Sequence, residues 1–176
     1  MSNTAMVFTF IGADKPGLVE KLAQTVSQCG GNWLESRMSA LAGQFAGIVQ
    51  VGIARDRQAA LREQLLALSG AGLTIVVADS QPGENENPYR HLRLSFIGND
   101  RPGIVREVAG ALAQRQINVR EMDTAITSAP MTAEPLFEAF AEIEVPMSLD
   151  LAELNERLAE IADALTVTID LEESLR

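Results

Sequence analysis

FIGADKPGLVEKLA occupies residues 10–23, and FIGNDRPGIVREVA occupies residues 96–109. Each stretch passes from an apolar run through an Asp-x-Pro-Gly turn into residues spaced for a helix. A stretch repeated about half a chain apart marks duplicated structural units. In a chain of 176 residues this favours two small domains over one. Domains of about 80 residues bury a limited share of their surface, so the halves are expected to pack on one another or on a second chain. A homodimer is the expected assembly.

Working outward from the turns, the preceding runs alternate as strands do. Met6, Phe8 and Phe10 share one face of a strand at 6–11, and Leu92, Leu94 and Phe96 share one face of a strand at 91–97. After the turns the spacing becomes helical. Leu18, Val19, Leu22, Ala23 and Val26 form one stripe, and Ile104, Val105, Val108, Ala109 and Leu112 form its counterpart.

Gly30-Gly31 ends the first helix, with a strand expected over 32–40 and a turn at Ala42-Gly43. Gly47, Val49, Val51 and Ile53 line one face of the next strand. Asp56 is placed to cap a helix carrying Leu61, Leu65 and Leu68, and 73–78 closes the unit as a strand. In the second half the pattern predicts a helix at 102–115, strands at 117–126 and 136–145, a helix at 150–164 and a strand at 165–171. Along 136–145, Phe137, Ala139, Ala141, Ile143 and Val145 alternate with Glu138, Phe140, Glu142 and Glu144, as in a sheet with one buried face.

SQPGENENPYR, at 80–90, has linker composition and no apolar period. The organisation is therefore a domain at 1–80, a linker at 81–90 and a domain at 91–176. Each half reads strand-helix-strand-strand-helix-strand. That order predicts an α+β, ferredoxin-like βαββαβ unit, an antiparallel sheet with both helices on one face. The other face must then be covered or tolerated by sheet-edge or sheet-face pairing.

The net charge of −10 repels phosphate backbones, so direct nucleic-acid binding is not expected. No apolar run spans a bilayer and no signal-peptide pattern opens the chain, which points to a cytoplasmic protein with no membrane partner. Cys29, the single cysteine, reads as a packing residue at a helix end.

Asp14-Lys15-Pro16-Gly17 and Asp100-Arg101-Pro102-Gly103 sit where helices begin. Asp there can accept a first-turn N–H, and Pro gives up only a donor that the helix leaves unpaired. Glycine in a first turn costs about 0.5–1 kcal/mol relative to alanine, so it calls for another reason. One reason is access. The amides of Gly17-Leu18 and Gly103-Ile104 would favour a carboxylate, while Asp14 or Asp100 would suit an ammonium. Together they describe a site for a free amino acid.

Asn32 and Asn118 also recur at matching positions, where the chain leaves the helix for the second strand. Either residue can donate and accept toward a ligand, or simply adopt a left-handed turn.

On these turns and asparagines, each half resembles an ACT domain, a small regulatory module that binds amino acids at domain interfaces near the first strand-helix loop. The resemblance covers both halves and includes the loop TSAPMTAEPLF at 127–137. It implies ligand contacts from Asp14, Gly17, Leu18 and Asn32, and from Asp100, Gly103, Ile104 and Asn118. Lys15 and Arg101 complete the candidate set. The pairs Lys15/Arg101 and Trp33/Val119 differ between copies, so one site is open to loss or altered preference. Tandem units of this kind resemble accessory transcriptional regulators that act by contacting a DNA-binding protein. A small amino acid is the implied ligand, glycine and serine among the candidates that the motif does not choose between, and no cofactor or metal is implied.

An enzyme has little to work with here. His91 is the only histidine and reads as solvated at a linker-strand junction. No phosphate loop, metal-ligand spacing or nucleophile elbow occurs, and Glu138, Glu142 and Glu144 read as an exposed sheet face. Two alternatives are a regulatory subunit of a metabolic enzyme and a ligand-independent interaction protein. For the latter, Trp33, Phe140 and Met131 are candidate anchors, each equally explicable by packing.

Overall fold

The computed structural model describes residues 3–79, 89–129 and 134–173. The chain divides into two compact units, Met1–Gly83 and Glu84–Arg176. In the first unit the order is β1 (Asn3–Ala13), α1 (Leu18–Gln28), β2 (Asn32–Leu41), β3 (Gln44–Ala54), α2 (Gln58–Ala67) and β4 (Leu73–Asp79). The second repeats it as β5 (Tyr89–Asn99), α3 (Ile104–Ala113), β6 (Asn118–Ser128), β7 (Pro135–Pro146), α4 (Leu151–Leu165) and β8 (Val167–Glu173). Tyr89 and Arg90, expected in the linker, begin β5 instead. The rest of that segment, 80–88, and Met131 lie outside the described residues.

Both sheets are antiparallel, with strand orders β2-β3-β1-β4 and β6-β7-β5-β8. Alternation decides the faces. Met6, Phe8 and Phe10 of β1 and Val49, Val51 and Ile53 of β3 are buried with Leu22 and Val26 of α1 and Leu61 and Leu65 of α2. Leu92, Leu94, Phe96, Ala139, Ala141 and Ile143 do the same beneath α3 and α4. Both helices of each unit therefore cover one face and leave the other to solvent. Removing a side chain such as Leu22 costs about 2–5 kcal/mol, because the cavity left behind closes only in part.

Val19 and Val105, expected in the helical stripes, stand outside them at 41% and 40% exposure. Each stands one residue, about 100° of helix rotation, beyond Leu18 or Ile104, at the edge of the face that Leu22 and Val26 or Val108 and Leu112 turn to the core. Asp56 does not cap α2, whose N-cap is Arg57 with no side-chain hydrogen bond. A short 3-10 turn at Arg55–Arg57 takes up the space where the cap was expected.

The repeated Phe-Ile-Gly has a packing cause at its glycine. A Cβ on Gly12 would come within 2.8 Å of Leu73 Cδ2, and one on Gly98 would collide with Val167. At this point the first and last strands of each unit approach too closely for a side chain. Each second strand also carries a bulge at one matched place, between Trp33 and Glu35 and between Val119 and Glu121.

Candidate functional site

Gly17 and Gly103 are the N-caps of α1 and α3, with φ of 90° and 93°. They precede the helices instead of lying in their first turns. Left-handed backbone costs an L residue roughly 1–2 kcal/mol, so the conformation alone accounts for glycine. Nothing lies within 4 Å of where a Gly17 Cβ would stand, so the turn is also open.

Asp14 and Asp100 do not cap the helices, because neither helix start receives a side-chain hydrogen bond. Their backbone amides instead tie the turn to the neighbouring strand connection: Asp14 N donates to Gly43 O at 2.9 Å and Asp100 N to Pro135 O at 3.1 Å. Both residues are exposed. The first-turn amides of α1, which a helix leaves unpaired, keep their partial positive charge. Leu18 is half-buried and Ile104 buried, so each roots the turn in its core.

The two turns differ in their basic residue. Arg101 makes a paired contact with Glu107, at 3.1 and 2.6 Å, on the first turn of α3. The hydrogen bond to Glu107 raises the Arg101 pKa, and its counterpart lowers that of Glu107. In the first unit Lys15 is exposed, and the position matching Glu107 is Lys21.

Asn32 and Asn118 are extended strand residues, not left-handed turns. The positive-φ residues nearby are Gly30 and Gln116. The register pairs Asn32 with Gly52 and Asn118 with Glu144. Asn118 Nδ2 donates to Glu144 Oε2 at 3.1 Å, and Arg120 Nη1 to Glu144 Oε1 at 2.8 Å. Glu144 is thus buried, at 8% exposure, in place of the exposed position expected for it. Burial pushes its carboxyl up, but bonds from Asn118 and Arg120, with the charges of Arg120 and His91, outweigh that and hold it below the ordinary range. His91 is exposed and faces Glu144 across the β5-β7 ladder.

Within a unit, turn and asparagine do not converge. Asn32 shares a rung with Gly52 and Ala5, whereas Asp14 follows Ala13 at the far end of β1. Eight residues of strand, from 5 to 13, separate those rungs by about 25 Å. The same holds for Asp100 and Asn118.

Trp33 is half-buried, edge-on to Phe8 at 6.2 Å, with Nε1 donating to Ser36 Oγ at 3.2 Å. Packing therefore accounts for it. Phe140, 58% exposed, stands on the open face of the second sheet beside a concavity of about 410 Å³ lined by Arg93, Ser95, Asp123 and Glu142. Cys29 closes α1 and packs against the first core. Among the described residues no group of three or more His, Cys, Asp or Glu is arranged to hold a metal, and no helix is long and apolar enough to cross a membrane.

Glu107, Arg120 and Glu144 were not found from the sequence. The signal for Glu144 lies in the register, since only pairing β6 with β7 sets it opposite Asn118.

Residues 4–78 and residues 92–163 each match the ACT domain. Over 72 residues the chain is 35% identical to the glycine cleavage system transcriptional repressors of Escherichia coli (strain K12) and Shigella flexneri. That match spans 41% of this chain and 37% of the length of those relatives. Among solved structures, an unknown protein from Galdieria sulphuraria shares 28% identity at a TM-score of 0.82, over 99% of this chain and 100% of its own. A structure described as a glycine cleavage system transcriptional repressor has the same fold, with a TM-score of 0.76 at 19% identity over the whole of both chains. Both halves being matched, the chain belongs to the ACT-domain family and carries two ACT domains in tandem.

Proposed function

We propose that the protein is a non-enzymatic, cytoplasmic regulator that binds a small amino acid, glycine or serine foremost, and passes its occupancy to a DNA-binding partner protein. The observation that carries this reading is the open turn of the first unit. There the Asp14 carboxylate and the Lys15 ammonium stand free beside the uncapped N-terminus of α1. The helix amides suit a carboxylate and Asp14 suits an ammonium, the two charges that every free amino acid carries.

One unit holds the turn and the asparagine at opposite ends, so a ligand touching both kinds of group takes one of them from a second chain. This supports a homodimer in which a second chain supplies the missing group. Binding then shifts assembly by no more than the ligand's differential affinity for the two states. The likeness to the repressors supports transcriptional control of amino-acid metabolism as the setting. The net charge of −10 supports a protein partner over direct contact with nucleic acid.

Isothermal titration with glycine and serine tests the reading. Selective binding that disappears in a folded Asp14→Ala variant is the expected result, and unchanged affinity in that variant removes the turn from the site. The exposed Phe140 favours a second reading, a ligand-independent interaction module. Failure of every common amino acid to bind folded protein would select it.

A further inference from the structure

We infer that the two units have divided their roles: the first is the open binding unit, and the second is closed by two of its own carboxylates, Glu107 and Glu144. This rests on the amino-acid reading above and names the copy in which it operates.

The duplication supplies an internal control, since matched positions can be compared across one fold. At the helix start, Arg101 is held by Glu107, whereas in the first unit the position matching Glu107 is a lysine, Lys21, which cannot pair with Lys15. On the asparagine rung, Glu144 takes hydrogen bonds from Asn118 and Arg120. In the first unit Gly52 stands opposite Asn32, and Leu34 occupies the place of Arg120, near enough that a Cβ on Gly52 would lie 3.5 Å from Leu34 Cδ1. Asn32 and Lys15 have no side-chain hydrogen bond or ion pair among the described residues.

A free amino acid brings its own carboxylate. At either end of the second unit it would compete with a carboxylate already in place, Glu107 on Arg101 at the turn or Glu144 on Asn118 and Arg120 at the asparagine, and its charge would be repelled by the one displaced. The two blocks are unequal. Arg101 and Glu107 form a solvent-screened surface pair that contributes little, whereas Glu144 is buried and bonded twice, so Glu144 is the principal closure.

The test is titration of the full chain with glycine and with serine, following both heat and the emission of Trp33. That side chain is the only tryptophan and adjoins Asn32, so its emission reports on the first unit. Wild-type protein is expected to bind one ligand per chain with a change in Trp33 emission. Asn32→Ala should weaken binding about tenfold or more, and Asn118→Ala should leave it within about twofold. Glu107→Ala with Glu144→Ala, shown folded by circular dichroism, should add a second binding event with no emission change. Glu107→Ala with Glu144→Gln, which keeps the shape of the side chain and removes its charge, serves if the double alanine variant does not fold.

Two ligands per wild-type chain, or equal weakening by Asn118→Ala and Asn32→Ala, would overturn the division of roles while leaving the amino-acid reading intact. If wild type binds neither ligand, the amino-acid reading fails for the native protein. Binding gained by the carboxylate variant would then still uphold closure of the second unit, and no gain would overturn it.

Discussion

Asn118 donates its side-chain amide to Glu144 at 3.1 Å, a bond the first unit cannot make because Gly52 stands where Glu144 would be. The same backbone position thus serves stability in one copy and remains free in the other.

That difference is measurable without any ligand. Asn118→Ala should cost about 1–2 kcal/mol, since it removes a hydrogen bond to a charged, buried acceptor. Asn32→Ala, on an exposed residue without a partner, should fall within about 0.5 kcal/mol of wild type. Thermal unfolding should show a midpoint lowered by several degrees in the first variant only.

Glu144 predicts a pH dependence with a definite sign. Its carboxyl is held below the ordinary value of 4.5, so the folded state favours the ionised form. The stability this provides is complete above the unfolded pKa and is lost as pH falls through the folded one. Glu144→Gln should therefore be less stable than wild type at pH 7, with the gap narrowing below about pH 4.5. Urea titrations at pH 7 and pH 3.5 would check it; a gap that widens in acid would contradict the assignment.

Gly17 is required by conformation, not by crowding. Gly17→Ala should cost about 1–2 kcal/mol from the positive φ alone. Gly17→Asn should cost less, since asparagine tolerates that region and the space is open. Denaturant midpoints of the two variants should fall in that order.

Trp33→Ala removes the edge-on contact with Phe8 and part of the first core. A loss of about 2–3 kcal/mol is expected, below the figure for a fully buried aromatic because Trp33 is only partly buried. Trp33→Phe should recover most of it, as urea unfolding would show.

Much of this fold could be read from alternation. The even positions of β1 and the odd positions of β3 place the core on one side of the sheet with no help from tertiary contacts. Helix starts lie later than the sequence suggests, with the caps at Gly17 and Gly103, three positions after Asp14 and Asp100. Asp before Pro-Gly resembles a cap, and only the φ of Gly17 and Gly103 reveals that glycine itself holds that place. The candidate site was less legible. Sequence proximity to the first helix made Asp14 and Asn32 look like neighbours, but α1 carries the chain the length of the sheet between them. Glu144 was hidden because a run of alternating glutamates does not announce which one meets a partner on the next strand.

The bulge after Trp33 and Val119 has a consequence of its own. In an unbroken ladder each residue meets a single opposite neighbour, so one side chain would face Gly52 or Glu144 alone. The extra residue allows two side chains to converge on that one position. Kept in both copies, this single insertion has been furnished in two ways, with an aliphatic cover from Leu34 and an ionic clasp from Arg120. Deleting residue 120 should leave a regular strand behind it and take one arm of the clasp away.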